Sequence, residues 1–248
     1  MTLLSAHKSD TGRKLDHNQD YLWLDEAAGI YMVADGMGGQ DAGELASELA
    51  ATTTGEFMQI RLKAQPGPLS TAAVKELIIL AIETANEAVL TAAQQAHQDR
   101  PMGAAIVVAL VYPPVAYICH AGDARAYLGR NSKLTRLTTD DSWVARLVAA
   151  GVITEEQARY HPLGNILTKA VGHESPLEPA FKELAVAPGD WLLLCSDGLW
   201  KMVEDEQILA ELQHDDSTPA KVVETLVEAA NAAGGNDNIS LIVIRIAP

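Results

Sequence analysis

Asp35, Gly36, Met37, Gly38 and Gly39 follow the apolar run Ile30 to Ala34, which reads as a buried strand. A carboxylate at a strand end, followed by glycines that let the backbone approach closely, suits a hard cation. The arrangement recurs twice. Trp191 to Ser196 runs into Asp197 and Gly198, and Gly234, Gly235, Asn236 and Asp237 lead into an apolar stretch at 239–244. Three Asp residues far apart in sequence, each beside glycine at a strand end, predict one oxygen-lined metal site. Carboxylates and a backbone carbonyl favour Mg²⁺ or Mn²⁺, whereas thiols and clustered imidazoles would favour zinc. No Ser-His-Asp or Cys-His arrangement stands out. Lys201, not Arg, stands six residues after Cys195, which disfavours a cysteine-based phosphatase loop there.

The elements that must position these acids can be read from periodicity. Short strands are expected at 3–8 and 21–25, then a helix over 41–62 and a second over 71–95, with a chain break near 65–68 and another at 100–101. Strands follow at 104–110, 115–121, 124–128 and 134–137, the last two as a hairpin. Helical segments are expected at 142–150 and 154–160, where Thr154 and Gln157 have capping-box spacing. Strands at 177–184 and 191–196, helices at 204–212 and 219–233 and a strand at 239–246 complete the chain. Thr218 reads as a cap, with Pro219 in the first helical position. Helix pairs between clusters of adjacent strands imply an α+β domain.

With 248 residues the chain suits a single domain, and no internal repeat is visible. No apolar run approaches the ~20 residues of a membrane span, and the N-terminal residues do not form a signal sequence. The net charge of −15 argues against nucleic acid and anionic membranes as partners. Cys119 and Cys195 lie in apolar runs, which predicts buried free thiols and a reducing, cytoplasmic compartment.

Taken in order, Asn18-Gln19-Asp20, Asp35 to Gly39, Met102-Gly103, Gly122 to Arg125, Asp140, Cys195 to Leu199, and Asp237-Asn238 resemble the metal-dependent Ser/Thr protein phosphatases of type 2C, the PPM family. The resemblance covers nearly the whole chain, and its compactness is similar to the bacterial type. It implies two stacked antiparallel β-sheets flanked by helices on both outer faces, in one domain over residues 1–248, with a small flap at about 142–172. It implies two Mn²⁺ or Mg²⁺ ions ~3.5–4 Å apart, which acidify a water and clamp a phosphoryl group. By the same resemblance Asp35 bridges both ions and Gly36 offers its carbonyl. Asp197 and Asp237 bind one ion each or share one, and Asp35, Asp197 and Asp237 form the catalytic set. Gln19 and Asp20 would hold waters or orient ligands, with Asp20 as an outer metal residue. Asp123 looks like a ligand for a third ion, with Asp197 shared. A hairpin-turn role for Asp123 and a strand-capping role for Asp20 stay open, as does a solvated loop position for Asp140.

Three positions depart from the family pattern. Leu15 stands where an Arg usually grips substrate phosphate. Arg13, two residues earlier, would share its face on an extended strand and could serve as that clamp. Ala104 and Ala105 replace a common pair of Thr, and Asp141 stands where His is frequent. The leaving-group acid is not apparent; His161, beside Pro162, is a candidate with a structural alternative. The expected activity is dephosphorylation of Ser and Thr in phosphorylated proteins, with a Ser/Thr kinase or its targets as partners. Leu15 motivates an alternative, a phosphoprotein-binding relative with weak activity.

Overall fold

The computed structural model describes residues 1–65, 67, 69–95, 102–214 and 216–248. The breaks expected at Pro66, Pro68, Arg100 and Pro101 lie outside the described residues. Two five-stranded antiparallel sheets carry the architecture. The first runs in the order β1 (Thr2–Asp10), β10 (Ile239–Ala247), β9 (Trp191–Cys195), β6 (Arg125–Arg130) and β7 (Lys133–Arg136). The second runs β2 (Asp20–Asp25), β3 (Ile30–Met37), β4 (Gly103–Tyr112), β5 (Val115–Ala121) and β8 (Ala180–Ala185). The described helices are α1 (Gln40–Lys63), α2 (Thr71–Gln95), α3 (Trp143–Ala149), α4 (Glu155–Arg159), α5 (Asp197–Trp200), α6 (Asp205–Gln213) and α7 (Pro219–Ala232).

Side-chain alternation along the central strands builds three apolar layers. From β3, Ile30, Met32 and Ala34 pack toward Ala46, Met58, Ile78 and Ile82 of α1 and α2. Tyr31 and Val33 point the opposite way, into an inter-sheet layer with Leu192, Leu194, Ile242 and Ile244. Leu193, Leu241 and Val243 face outward and meet Ile208, Val222 and Leu226 of α6 and α7. Both faces of β3, β9 and β10 are therefore covered, which explains why these strands read as unbroken apolar runs. The result is the expected sandwich of two sheets between helices.

Several boundaries move from the sequence reading. β3 continues past Asp35 to Met37, because β4 supplies partners down to Gly103, with Asp35 opposite Ala105 and Gly36 opposite Ala104. Asp35 is thus inside a paired strand and not at its end. β8 begins at Ala180; Pro176 and Pro179 flank Leu177 and have no N–H to donate to a ladder. The one-turn helix α5 is added at Asp197, too short for periodicity to reveal. Both expected caps form. Thr154 and Gln157 make a reciprocal capping box, and Thr218 accepts from the Lys221 N–H with Pro219 at the first position of α7.

The segment carrying α3 and α4 leaves the sheets at Ser142 and returns by Val171. Its base is stitched by an antiparallel bridge between Ser142 and Leu167 and by another between Ala104 and Val171. The small side chain of Ala104 lies in that second bridge, with Ala104 N–H to Val171 O and the return bond both 2.9 Å.

Candidate active site

Two hinge-like close contacts bring the acids together. Gly198, the second residue of α5, packs against the entry to β10; a Cβ there would lie 2.1 Å from Asn238 O and 3.4 Å from Asp237 C. Asp197 follows β9 and Asp237 precedes β10, and these strands are antiparallel neighbours, so backbone contact at Gly198 leaves both acids on one rim. On the other sheet, Gly36 lies so near Gly43 that a Cβ would meet the Gly43 carbonyl oxygen at 2.0 Å. That packing seats the start of α1 against β3. Asp20 and Asp35 are direct cross-strand partners in β2 and β3. Asp123 enters from the turn between β5 and β6 and is buried.

The acids feel one another. Burial pushes the Asp35 carboxyl well above the ordinary range, and Asp20, Asp197, Asp123 and Asp237 add to the rise. Asp20 is likewise raised, first by burial and then by Asp197 and Asp237, against hydrogen bonds from Ser196 and Ser240. Asp123 is pushed up to about 7 by burial and by Asp197, and Asp237 is raised by burial and by Asp197. Five carboxylates crowded so closely favour protons or cations over mutual exposure.

Among the described residues no three acids, thiols or imidazoles already close into a ligand cluster. Two of these carboxylates are held by other donors. Ser196 Oγ donates to Asp20 Oδ2 at 2.8 Å, and Lys201 Nζ donates to Asp197 Oδ2. The donor chemistry is nonetheless that of a hard divalent ion: carboxylates, a nearby backbone carbonyl at Gly36, and no sulfur or imidazole among them. The two thiols are out of play, since burial pushes Cys119 up to about 12 and Cys195 higher still.

A ring of supporting contacts fixes the rim. Asn238 Oδ1 accepts from the Gln19 N–H at 2.8 Å, and its Nδ2 donates to Thr11 O and His17 O, both at 2.9 Å. Its own N–H donates to Asp237 Oδ1 at 2.8 Å. Gln19 donates through Nε2 to Gly39 O at 2.6 Å, which ties the same loop to α1. Trp200 Nε1 donates to Asp123 O at 3.0 Å, and the Arg125 guanidinium stacks 3.4 Å from the Trp200 ring.

Arg125 also grips Asp140 through Nε at 2.9 Å and Nη2 at 2.6 Å, so Asp140 is a paired acid and not a solvated one. Asp141 Oδ2 accepts from the Gly122 N–H at 3.2 Å, a structural use. His120 bonds Thr139 O at 2.8 Å and is structural too. His161 Nδ1 accepts from the Leu163 N–H at 3.1 Å, turning one ring nitrogen back into its own loop.

The geometry behind Arg13 differs from expectation. Gly12, Arg13 and Lys14 form a turn, so the shared-strand-face argument linking Arg13 to Leu15 does not apply. The physical reason is the tie of Arg13 N–H to Gly235 O at 2.7 Å, which bends the chain around the loop before Asp237. Arg13 is exposed beside that loop, and Leu15 is 41% exposed. Sequence reasoning placed Arg125 and Ser196 in motifs without giving either a role, and missed Lys201 and Trp200 as parts of the site. Their signal was weak: each follows or precedes an acid motif, but nothing in residue type marked a contact made across the fold.

Two buried sheets that present clustered carboxylates at one edge define a class of metal-dependent hydrolase fold. The family model described as protein phosphatase 2C matches residues 12–239. The chain belongs to the protein phosphatase 2C family. It is 34% identical over 245 residues to protein phosphatase PhpP of Streptococcus pneumoniae, covering 96% of this chain and 95% of that protein. The serine/threonine phosphatase PstP/Ppp of Mycobacterium tuberculosis is similar in structure, with a TM-score of 0.86, 33% identity and full coverage of both chains. The catalytic domain of the serine threonine protein phosphatase PstP, solved in complex with two manganese ions, matches with a TM-score of 0.83 and 33% identity, covering 99% of each chain.

Proposed function

We propose that this chain hydrolyses phosphoserine and phosphothreonine in proteins, using divalent Mn²⁺ or Mg²⁺ at the acid cluster. The observation that carries the reading is that Asp20 pairs across the strands with Asp35, and that Asp20, Asp123, Asp197 and Asp237 all lie close enough to raise the Asp35 carboxyl. When bound, divalent cations supply Lewis acidity, acidifying water for attack at phosphorus and offsetting charge on the phosphoryl oxygens. Asp35, the Gly36 carbonyl, Asp197 and Asp237 would hold two such ions, and Asp123 with Asp197 a third. Asp20 keeps its orientation through Ser196 and would steady the ligands from behind. Arg13, exposed at the loop before Asp237, is proposed as the group that meets the substrate phosphate. Attack breaks the P–O ester bond, and the Ser or Thr oxygen leaves with a proton as inorganic phosphate forms.

The whole chain is read as one catalytic unit, supported by the apolar layer shared between both sheets, with 142–172 as a flap. Among the described residues no helix is long and apolar enough to cross a membrane, and buried free Cys119 and Cys195 support a reducing, cytoplasmic setting. A Ser/Thr kinase or its targets are the proposed partners. Leu15 no longer argues for a binding-only relative, because it lies exposed just after the turn at residues 12–14, outside any strand. The test is release of phosphate from a phosphothreonine peptide with and without MnCl₂. Asp35→Asn should cut turnover at least ~10²-fold with the fold intact. Metal-independent turnover, or wild-type rates in that variant, would overturn the reading.

A further inference from the structure

Lys201 occupies an unusual place for a cation. It caps the C-terminus of α5, one turn after Asp197, and its ammonium donates to Asp197 Oδ2. A second bond runs to Asn165 Oδ1 at 2.7 Å, in the segment carrying α3 and α4. The ammonium also lies 5.3 Å from the Trp200 ring centroid. Both ends of the Lys201–Asp197 pair are shielded, with side-chain exposures of 18% and 12%. Burial works against its charge, and Asp197, Asp123 and Asp35 together outweigh that cost. Long amines are seldom buried unless paired, so this one is held by the acids it neutralises.

We propose that the Lys201 ammonium competes with the divalent cation for the Asp197 carboxylate. In the metal-free chain it acts as a tethered counter-ion, tying down one oxygen of that carboxylate. A divalent ion gains Asp197 by displacing it, and the displaced ammonium remains nearby as like charge. Lys201 thereby sets the concentration at which the site fills. The same ammonium also donates to Asn165 Oδ1, so ion binding and the segment around Asn165 share one donor group. The proposal rests on the reading of Asp197 as a metal ligand.

The experiment measures Mn²⁺ binding by titration calorimetry, and thermal unfolding with and without Mn²⁺, for wild type, Lys201→Met, Lys201→Arg and Asp197→Asn. Lys201→Met should bind Mn²⁺ ~10-fold more tightly, while Lys201→Arg stays near wild type. Without metal, Lys201→Met should unfold at a lower temperature than wild type, since the acids lose their counter-ion. Saturated with Mn²⁺ it should match or exceed wild type, whereas a purely structural lysine would lower both temperatures. Unchanged or weaker Mn²⁺ affinity in Lys201→Met, while Asp197→Asn still loses binding, would overturn the competition and leave the ligand reading standing. Wild-type affinity in Asp197→Asn would overturn the ligand reading and the competition with it.

Discussion

Gly198 shows how much a missing side chain can decide. The approach of α5 to Asn238 O leaves no space for a methyl group, so Gly198→Ala must push Asp197 and Asp237 apart. Overpacking of this kind costs about 1–3 kcal/mol. Urea unfolding should register that loss, and calorimetry should show Mn²⁺ affinity falling at least ~10-fold; retained affinity would mean that the two acids need no common rim. Arg13 calls for a different measurement. Its neighbour Lys14 lies on the same turn and carries the same charge, but Arg can meet a phosphate bidentately and Lys cannot. Arg13→Ala should therefore raise KM for a phosphothreonine peptide several-fold more than Lys14→Ala does. Equal effects would reduce Arg13 to general surface charge.

At the scale of elements, the segment bearing α3 and α4 is latched by Arg159. From α4 this side chain donates to Trp200 O at 2.7 Å and Val203 O at 3.2 Å, and it pairs with Glu204. The Trp200 carbonyl lies at the end of α5, where helical C=O groups lack intrahelical partners, and Val203 follows three residues on. The same short helix begins at Asp197 and places Trp200 on the Asp123 backbone, so latch and acid cluster share one element. A cleft of about 890 Å³ runs between the segment and α5 and α6, lined by Arg125, Asp140, His161, Asn165 and Lys201 among others. Arg159→Ala should speed amide exchange across 154–160 while β9 and β10 stay protected. Unchanged exchange there would show that the two bridges at its base suffice to hold the segment down.

For the molecule as a whole, the acid cluster links stability to pH. Asp123 rises from its ordinary 3.8 to about 7, and Asp20, Asp35 and Asp237 are also raised. Folding then takes up protons, so the cluster's contribution is most favourable below the unfolded pKa and is lost as pH climbs through the folded one. The metal-free protein should lose melting temperature from about pH 4 to about pH 7, and added Mn²⁺ should raise the melting temperature more at about pH 8 than at about pH 5. A metal-induced shift independent of pH would show that these carboxyls ionise freely without a cation. The amino-acid order alone determined most of the scaffold. Continuous apolar runs marked strands covered on both faces, Thr154 and Thr218 announced their helices, and glycine beside Asp marked Asp35, Asp197 and Asp237, because propensity, capping and burial act locally. The tertiary structure decided the rest. That Arg13 sits on a turn, that Ser196 and Lys201 hold two of the acids, and that Arg125 stacks on Trp200 are consequences of contacts between distant segments, and no local pattern encodes the distance between them.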